Sequence, residues 1–271
     1  MWYTEIRKFL SEKTNTLHLI RRLKMARRLE HAYKIHRLKL GAMPVDKSLM
    51  TLWQGYGEML DYPIQFFYIE GPEEKIIVDT GGSAEDIEPI WPGAKDIQSF
   101  EDALGSVGLK PEDIDIIIAT HLHFDHILNA RKCPNAKVYV QRKELDFAFS
   151  PSPVFKGSYP LSALRGLKFV VIEGDQEIAP GVKAIFVPGH SPGTQGVTIE
   201  TKDGLAVITG FCCIEENFTD CPEALKDIWN DMVPIGFTSD PIDAFNSMLR
   251  VKGLADILIP LHGRKIPDVI G

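Results

Sequence analysis

The chain has 271 residues, 44% hydrophobic and 25% charged, with a formal net charge of −7. This is the make-up of an ordinary globular protein, long enough for one large domain or two small ones, and it excludes disordered, collagenous and low-complexity classes. No apolar run reaches the roughly 18 residues that span a bilayer, and the N-terminus lacks a secretory signal pattern, so a cytoplasmic location is expected.

Charge is unevenly placed. Residues 1–40 carry 11 Lys/Arg against 3 Asp/Glu, whereas the remaining chain carries 19 against 34. An acidic body repels phosphates and argues against nucleic-acid binding. Residues 4–31 read as a helix with a basic cluster at Arg21, Arg22, Lys24, Arg27 and Arg28. Such a helix binds a membrane surface or a partner, or packs on the acidic body in cis or across a homodimer. The division expected is a basic helical extension over 1–32 and a single folded domain over 33–271. Four cysteines, Cys133, Cys212, Cys213 and Cys221, are too few and too irregular for a disulfide framework.

From residue 33 the periodicity changes to two. Residues 33–41, 63–70 and 75–82 read as strands joined by short turns, hence a partly antiparallel sheet. His36 falls on the outward, polar set. Residues 98–109 read as an amphipathic helix, residues 114–119 as a buried strand, and 137–140 as a strand followed by a helix through Leu145 and Phe149. The Ser-, Pro- and Gly-rich stretch 150–166 is either a lid or a packed connector. Strands are expected at 169–172, 182–187, 196–200 and 205–209, then a helix over 240–255 and a last strand at 256–260. Strands with helices, twice over, predict two sheets with helices outside: an α/β, four-layer αββα sandwich.

The strongest chemical signal is Thr120-His121-Leu122-His123-Phe124-Asp125-His126, at the end of the strand 114–119. Neutral imidazoles and a carboxylate suit Zn²⁺, and also Fe or Mn. A rigid strand fixes the Cα positions while the loop lets side chains converge. Pro188-Gly189-His190, Thr209-Gly210-Phe211-Cys212-Cys213 and Pro260-Leu261-His262 also close apolar strands. That common placement makes a shared edge and a polynuclear site plausible. Asp79, in Asp79-Thr80-Gly81, is by itself only a turn residue.

These motifs, in this order and spacing, resemble the metallo-β-lactamase superfamily over roughly residues 33–265, above all its lactonase and hydroxyacylglutathione-hydrolase branches. The resemblance implies the αββα sandwich with its site at one sheet edge. It implies one metal on His121, His123 and His190 and a second on Asp125, His126 and His262, with one or two Zn²⁺ ions. Asp79 would orient a ligand histidine. Where many members carry a bridging aspartate this chain has Phe211, which cannot ligate. Either Cys212 reaches the second metal, or that metal is weak or missing, or the site is degenerate. The tyrosine that acyl-homoserine lactonases place shortly after that aspartate is also absent, and the short C-terminus disfavours glutathione thioesters.

The expected function is metal-dependent hydrolysis of an ester, lactone or related small-molecule carbonyl by hydroxide generated at the metal. Asp125 is the catalytic candidate, orienting the water and relaying its proton. Phe66, Phe149, Phe155, Tyr159 and Phe211 are expected to line an apolar pocket. The alternative is a non-catalytic member acting as an interaction module through its basic helix.

Overall fold

The structure is a computed structural model and describes residues 32–271. The basic extension expected over 1–32 therefore lies, except for its last residue, outside the described residues. The strands are β1 (Lys34–Asp46), β2 (Met59–Glu70), β3 (Ile76–Val78), β4 (Lys95–Asp96), β5 (Ile116–Ile118), β6 (Lys137–Gln141), β7 (Lys168–Ile172), β8 (Gln176–Ala179), β9 (Val182–Phe186), β10 (Gln195–Thr201), β11 (Gly204–Ile208), β12 (Ile257–Ile259) and β13 (Val269–Ile270). One eight-stranded sheet runs β13-β1-β2-β3-β5-β6-β7, with β4 on β1. A five-stranded sheet runs β12-β11-β10-β9-β8.

The sheets meet face to face. Ile35, Phe67, Ile69, Ile76, Val78, Ile116 and Ile118 from the first pack against Val182, Ala184, Val197, Ile199, Ala206, Ile208 and Ile259 from the second. Alternation sends Phe66, Ile77, Ile117 and Val138 to the other side of the first sheet, against Phe100 and Leu104 of the helix Phe100–Gly105. The outer face of the second sheet packs Ile185, Val187 and Val207 on Ala244, Met248 and Val251 of the helix Pro241–Leu254. The layers are thus helix, sheet, sheet, helix. β3 and β5 are buried on both faces, which is why they read as continuous Ile/Val runs.

Several expected bounds shift for local reasons. β1 and β2 pair along their whole length, from Lys34↔Glu70 to Asp46↔Met59, with a register shift between Lys39 and Gly41. The helix expected over 98–109 starts behind the Ser99 cap and stops at Gly105, because Gly108 takes φ +76° and Leu109 N–H closes on the Leu104 carbonyl. The stretch 150–166 folds as a 3₁₀ turn Pro153–Ser158 and a helix Leu161–Leu164, with Tyr159 and Leu164 buried. His36 meets Glu70 at 2.7 Å on the sheet surface. Among the described residues no helix is long and apolar enough to cross a membrane.

Candidate metal centre

Strands of both sheets end at one edge, and the chemistry-bearing residues follow those ends. Asp79 follows β3, Thr120–His126 follows β5, His190 follows β9, Cys212 follows β11 and His262 follows β12. Gln195 stitches the sheets just beneath them. Its N–H donates to the Thr120 carbonyl (2.8 Å), and its side-chain amide donates to the Ala119 and Tyr139 carbonyls (2.8 and 3.1 Å). Gln65 Nε2 donates to the Leu261 carbonyl (2.9 Å) and so fixes the turn that carries His262.

Two donor clusters result. One ligand atom each from His121, His123 and His190 lie within 4.8 Å of one another, as do those of Asp125, His126 and His262. All six residues are buried. Hydrogen bonds at the far ring nitrogens set three tautomers. His190 Nδ1 meets the Phe237 carbonyl at 2.8 Å, His262 Nδ1 the Pro63 carbonyl at 3.3 Å, and His126 Nδ1 the Asp79 carboxylate at 2.8 Å. Those oxygens only accept, so Nδ1 carries the hydrogen and Nε2 is left for the cluster. His121 Nε2 and His190 Nε2 face each other at 3.2 Å. Among the described residues the buried Nε2 atoms of His123 and His262 have no hydrogen-bond partner.

Burial, reinforced by neighbouring imidazoles, pushes His121, His123 and His262 well below the ordinary histidine value. Burial also takes His190 down to about 4. These four are neutral, as metal ligation requires. His126 differs: burial opposes its charged form, but the Asp125 and Asp79 carboxylates outweigh burial and raise it to about 10. Asp125, despite burial, is held well below the usual carboxylate range by His126 and His262. The donors fit a divalent cation: nitrogen and carboxylate oxygen are the ordinary ligands of zinc, and iron or manganese accepts the same set. A cation would take the place of the His126 Nε2 proton and satisfy the orphaned nitrogens.

Asp79 sits at φ +61° and accepts from Thr120 N–H (2.7 Å), Thr120 Oγ1 (2.8 Å) and His126. Cys212 is in neither donor cluster. Its thiol meets the Tyr62 hydroxyl at 3.0 Å and Met50 Sδ at 3.5 Å, and burial pushes it well above its ordinary pKa.

The pocket beside the clusters differs from expectation. Met43, Val45, Met50, Tyr62, Trp91 and Phe237 form its walls with Cys212. Phe66 lies instead in the helix-side core against Phe100, ring centroids 4.9 Å apart. Phe211 turns into the core under the helix Pro241–Leu254. Phe149 is half exposed on its helix end, and Phe155 stands one layer back, packing on Phe147 and on the pocket residue Phe237 (ring centroids 6.0 and 5.8 Å). Tyr159 lies behind His123, donating to Glu144. Tyr62, Gln65, Trp91, Glu144, Gln195 and Phe237 were not singled out by sequence. The one available signal was a polar residue inside an apolar strand, as at Gln65. The run Glu216-Asn217-Phe218 is a brace. Asn217 Nδ2 donates to the Met50 and Val233 carbonyls (2.8 and 2.9 Å), and Glu216 pairs with Arg264.

A sequence profile described as the metallo-beta-lactamase superfamily matches residues 61–210. An N-acyl homoserine lactonase from Bacillus cereus is 32% identical over 233 residues, covering 81% of this chain and 87% of the relative. A solved quorum-quenching N-acyl homoserine lactone lactonase superposes with TM-score 0.71 at 29% identity, over 87% of this chain and 94% of its own. An N-acyl homoserine lactone hydrolase, solved with the product N-hexanoyl-L-homoserine at its catalytic metal centre, also gives TM-score 0.71, at 27% identity over 87% of this chain and 95% of its own. Sequence match, fold and strand-end donors agree, and the chain belongs to the metallo-β-lactamase superfamily.

Proposed function

We propose that the protein is a metal-dependent hydrolase of small carbonyl esters, with lactones as the preferred class, using one or two zinc ions. The observation that carries this is the pair of buried three-residue donor sets, His121/His123/His190 and Asp125/His126/His262, beside an apolar pocket. Bound zinc would polarise the substrate carbonyl and lower the pKa of a water towards about 7. The chain supplies the rest. Asp125 lines the pocket, and its carboxylate, kept ionised by His126 and His262, orients the attacking water and passes its proton on to the leaving oxygen without retaining it. Asp79 keeps the His126 ring oriented through Nδ1. Met43, Val45, Met50 and Trp91 take an apolar arm of the substrate and exclude water from the bond that breaks. The lactonase relatives support the choice of lactones. The four free cysteines fit a reducing compartment.

The test is a panel of acyl-substituted lactones and linear esters, assayed with chelator-treated and zinc-reloaded protein. Lactone hydrolysis that is lost on chelation and restored by zinc is expected. Zinc-loaded protein inert towards every carbonyl substrate would leave the non-catalytic scaffold reading in its place.

A further inference from the structure

Glu144 is a fully buried carboxylate, on the helix Arg142–Phe149, that the proposed reaction does not use. Four donors converge on it. Leu122 N–H (2.9 Å) and the Tyr159 hydroxyl (3.2 Å) reach Oε1, and the Ser191 hydroxyl and Gly193 N–H (3.2 Å) reach Oε2. Two carboxylate oxygens offer about four acceptor sites, and all are filled, which is the environment of an ionised carboxylate. Burial works the other way and raises its pKa against those hydrogen bonds. Among the described residues no cationic side chain pairs with it.

The donors are not scattered. Leu122 lies between His121 and His123, Ser191 and Gly193 follow His190, and the Tyr159 ring packs edge-on against His123 with centroids 4.8 Å apart. Glu144 therefore touches the backbone or neighbours of every residue in the first donor cluster. That cluster consists of three neutral imidazoles and contains no anion. The second has Asp125 in it and Asp79 behind it.

We infer that Glu144 is the positioning residue and outer counter-charge of the first metal. It clamps the His121–His123 and His190 loops into one donor set, and its charge offsets that of a cation held by three imidazoles. The inference rests on the metal-hydrolase reading above. It predicts an effect confined to one of two metals.

Zinc affinity is measured by competition with a chromophoric chelator, in full-length protein, on two backgrounds. His262→Ala leaves the first cluster intact, and His190→Ala leaves the second. Glu144→Gln keeps the volume but turns an NH₂ group towards donors. It is expected to weaken zinc about 10–100-fold in the His262→Ala background and to leave affinity unchanged in the His190→Ala background. Ser191→Ala and Tyr159→Phe keep the carboxylate and each remove one donor. They are expected to give smaller losses with the same selectivity, and they decide the matter if Glu144→Gln does not fold. Equal weakening on both backgrounds would show a merely structural residue and overturn the inference, as would unchanged affinity in the first. Wild type that binds no zinc removes the hydrolase reading itself. Wild type that binds zinc and hydrolyses lactones beside an unaffected Glu144→Gln removes this inference alone.

Discussion

Asp79 shows how much one residue can set at this site. Its backbone is in the left-handed region, where Asp and Asn are tolerated better than most side chains. Its carboxylate accepts from Thr120 N–H, Thr120 Oγ1 and His126 Nδ1. Asp79→Asn keeps the backbone compatible but leaves one acceptor oxygen for three donors. Zinc affinity of the second donor cluster should fall about 10–100-fold, and stability by about 1–3 kcal/mol, read by chelator competition and urea melts. Wild-type affinity in Asp79→Asn would mean that His126 is oriented by packing alone. Cys212 makes the opposite prediction. Its protonated thiol is engaged by Tyr62 and Met50, outside both clusters. Cys212→Ala should therefore keep the wild-type zinc stoichiometry, lose about 1 kcal/mol of stability, and change the KM for lactones through the altered pocket wall. A lost zinc equivalent in elemental analysis would instead make Cys212 a ligand.

At the scale of elements, the site is built by turns that approach other backbones closely. Gly193, in the turn after His190, has no room for a side chain: a Cβ there would lie 2.0 Å from Glu144 N and 2.4 Å from its Cα. Backbone cannot swing aside as a flexible side chain does. Gly193→Ala must push the His190 turn off the helix Arg142–Phe149, at a cost of about 3 kcal/mol. The expected result is a lower melting temperature and a deficit of zinc at the first cluster, whereas normal zinc content would show that the turn adapts. The same scale explains what sequence could reveal. His121, His123, Asp125 and His126 were legible because their spacing is local and a strand end fixes it. His190 and His262 were legible as strand-end histidines, and their partners came with the family resemblance. The pocket was not legible. Tyr62 and Phe66 share one face of β2, but four residues of strand, about 13 Å, separate the site edge from the Phe100 core. Phe211 depended on which way the chain turns after β11, and no local pattern encodes that. Glu144 looks in sequence like any charged residue of an amphipathic helix; only the packed turn of Ser191 and Gly193 gives it a role.

For the whole molecule, the buried imidazoles tie stability to pH and to metal. His190 is held down to about 4, and His121, His123 and His262 lie well below their ordinary value. In the unfolded chain each returns to about 6.5. Between these limits the unfolded state binds more protons than the folded one, so the free energy of unfolding rises with pH across the window and falls as pH drops through it. His126 has the opposite sign: raised to about 10 by Asp125 and Asp79 against burial, it stabilises the metal-free fold below about 6.5, and that contribution fades as pH climbs to 10. Chelator-treated protein should therefore melt lower at pH 5 than at pH 7, and lower again towards pH 10. Zinc changes the alkaline limb. A cation on the second cluster replaces the His126 proton, so nothing remains there to titrate and the loss towards pH 10 should vanish in loaded protein. On the acid side zinc must displace the His126 proton, which competes more strongly with zinc as pH falls, so the zinc-dependent rise in melting temperature should shrink as pH falls from 7 to 5. Melting curves at pH 5, 7 and 9.5, each with and without zinc, check both limbs. A zinc-independent alkaline loss would place its origin outside His126, and a zinc-dependent rise that is constant with pH would mean that the cation does not displace the His126 proton.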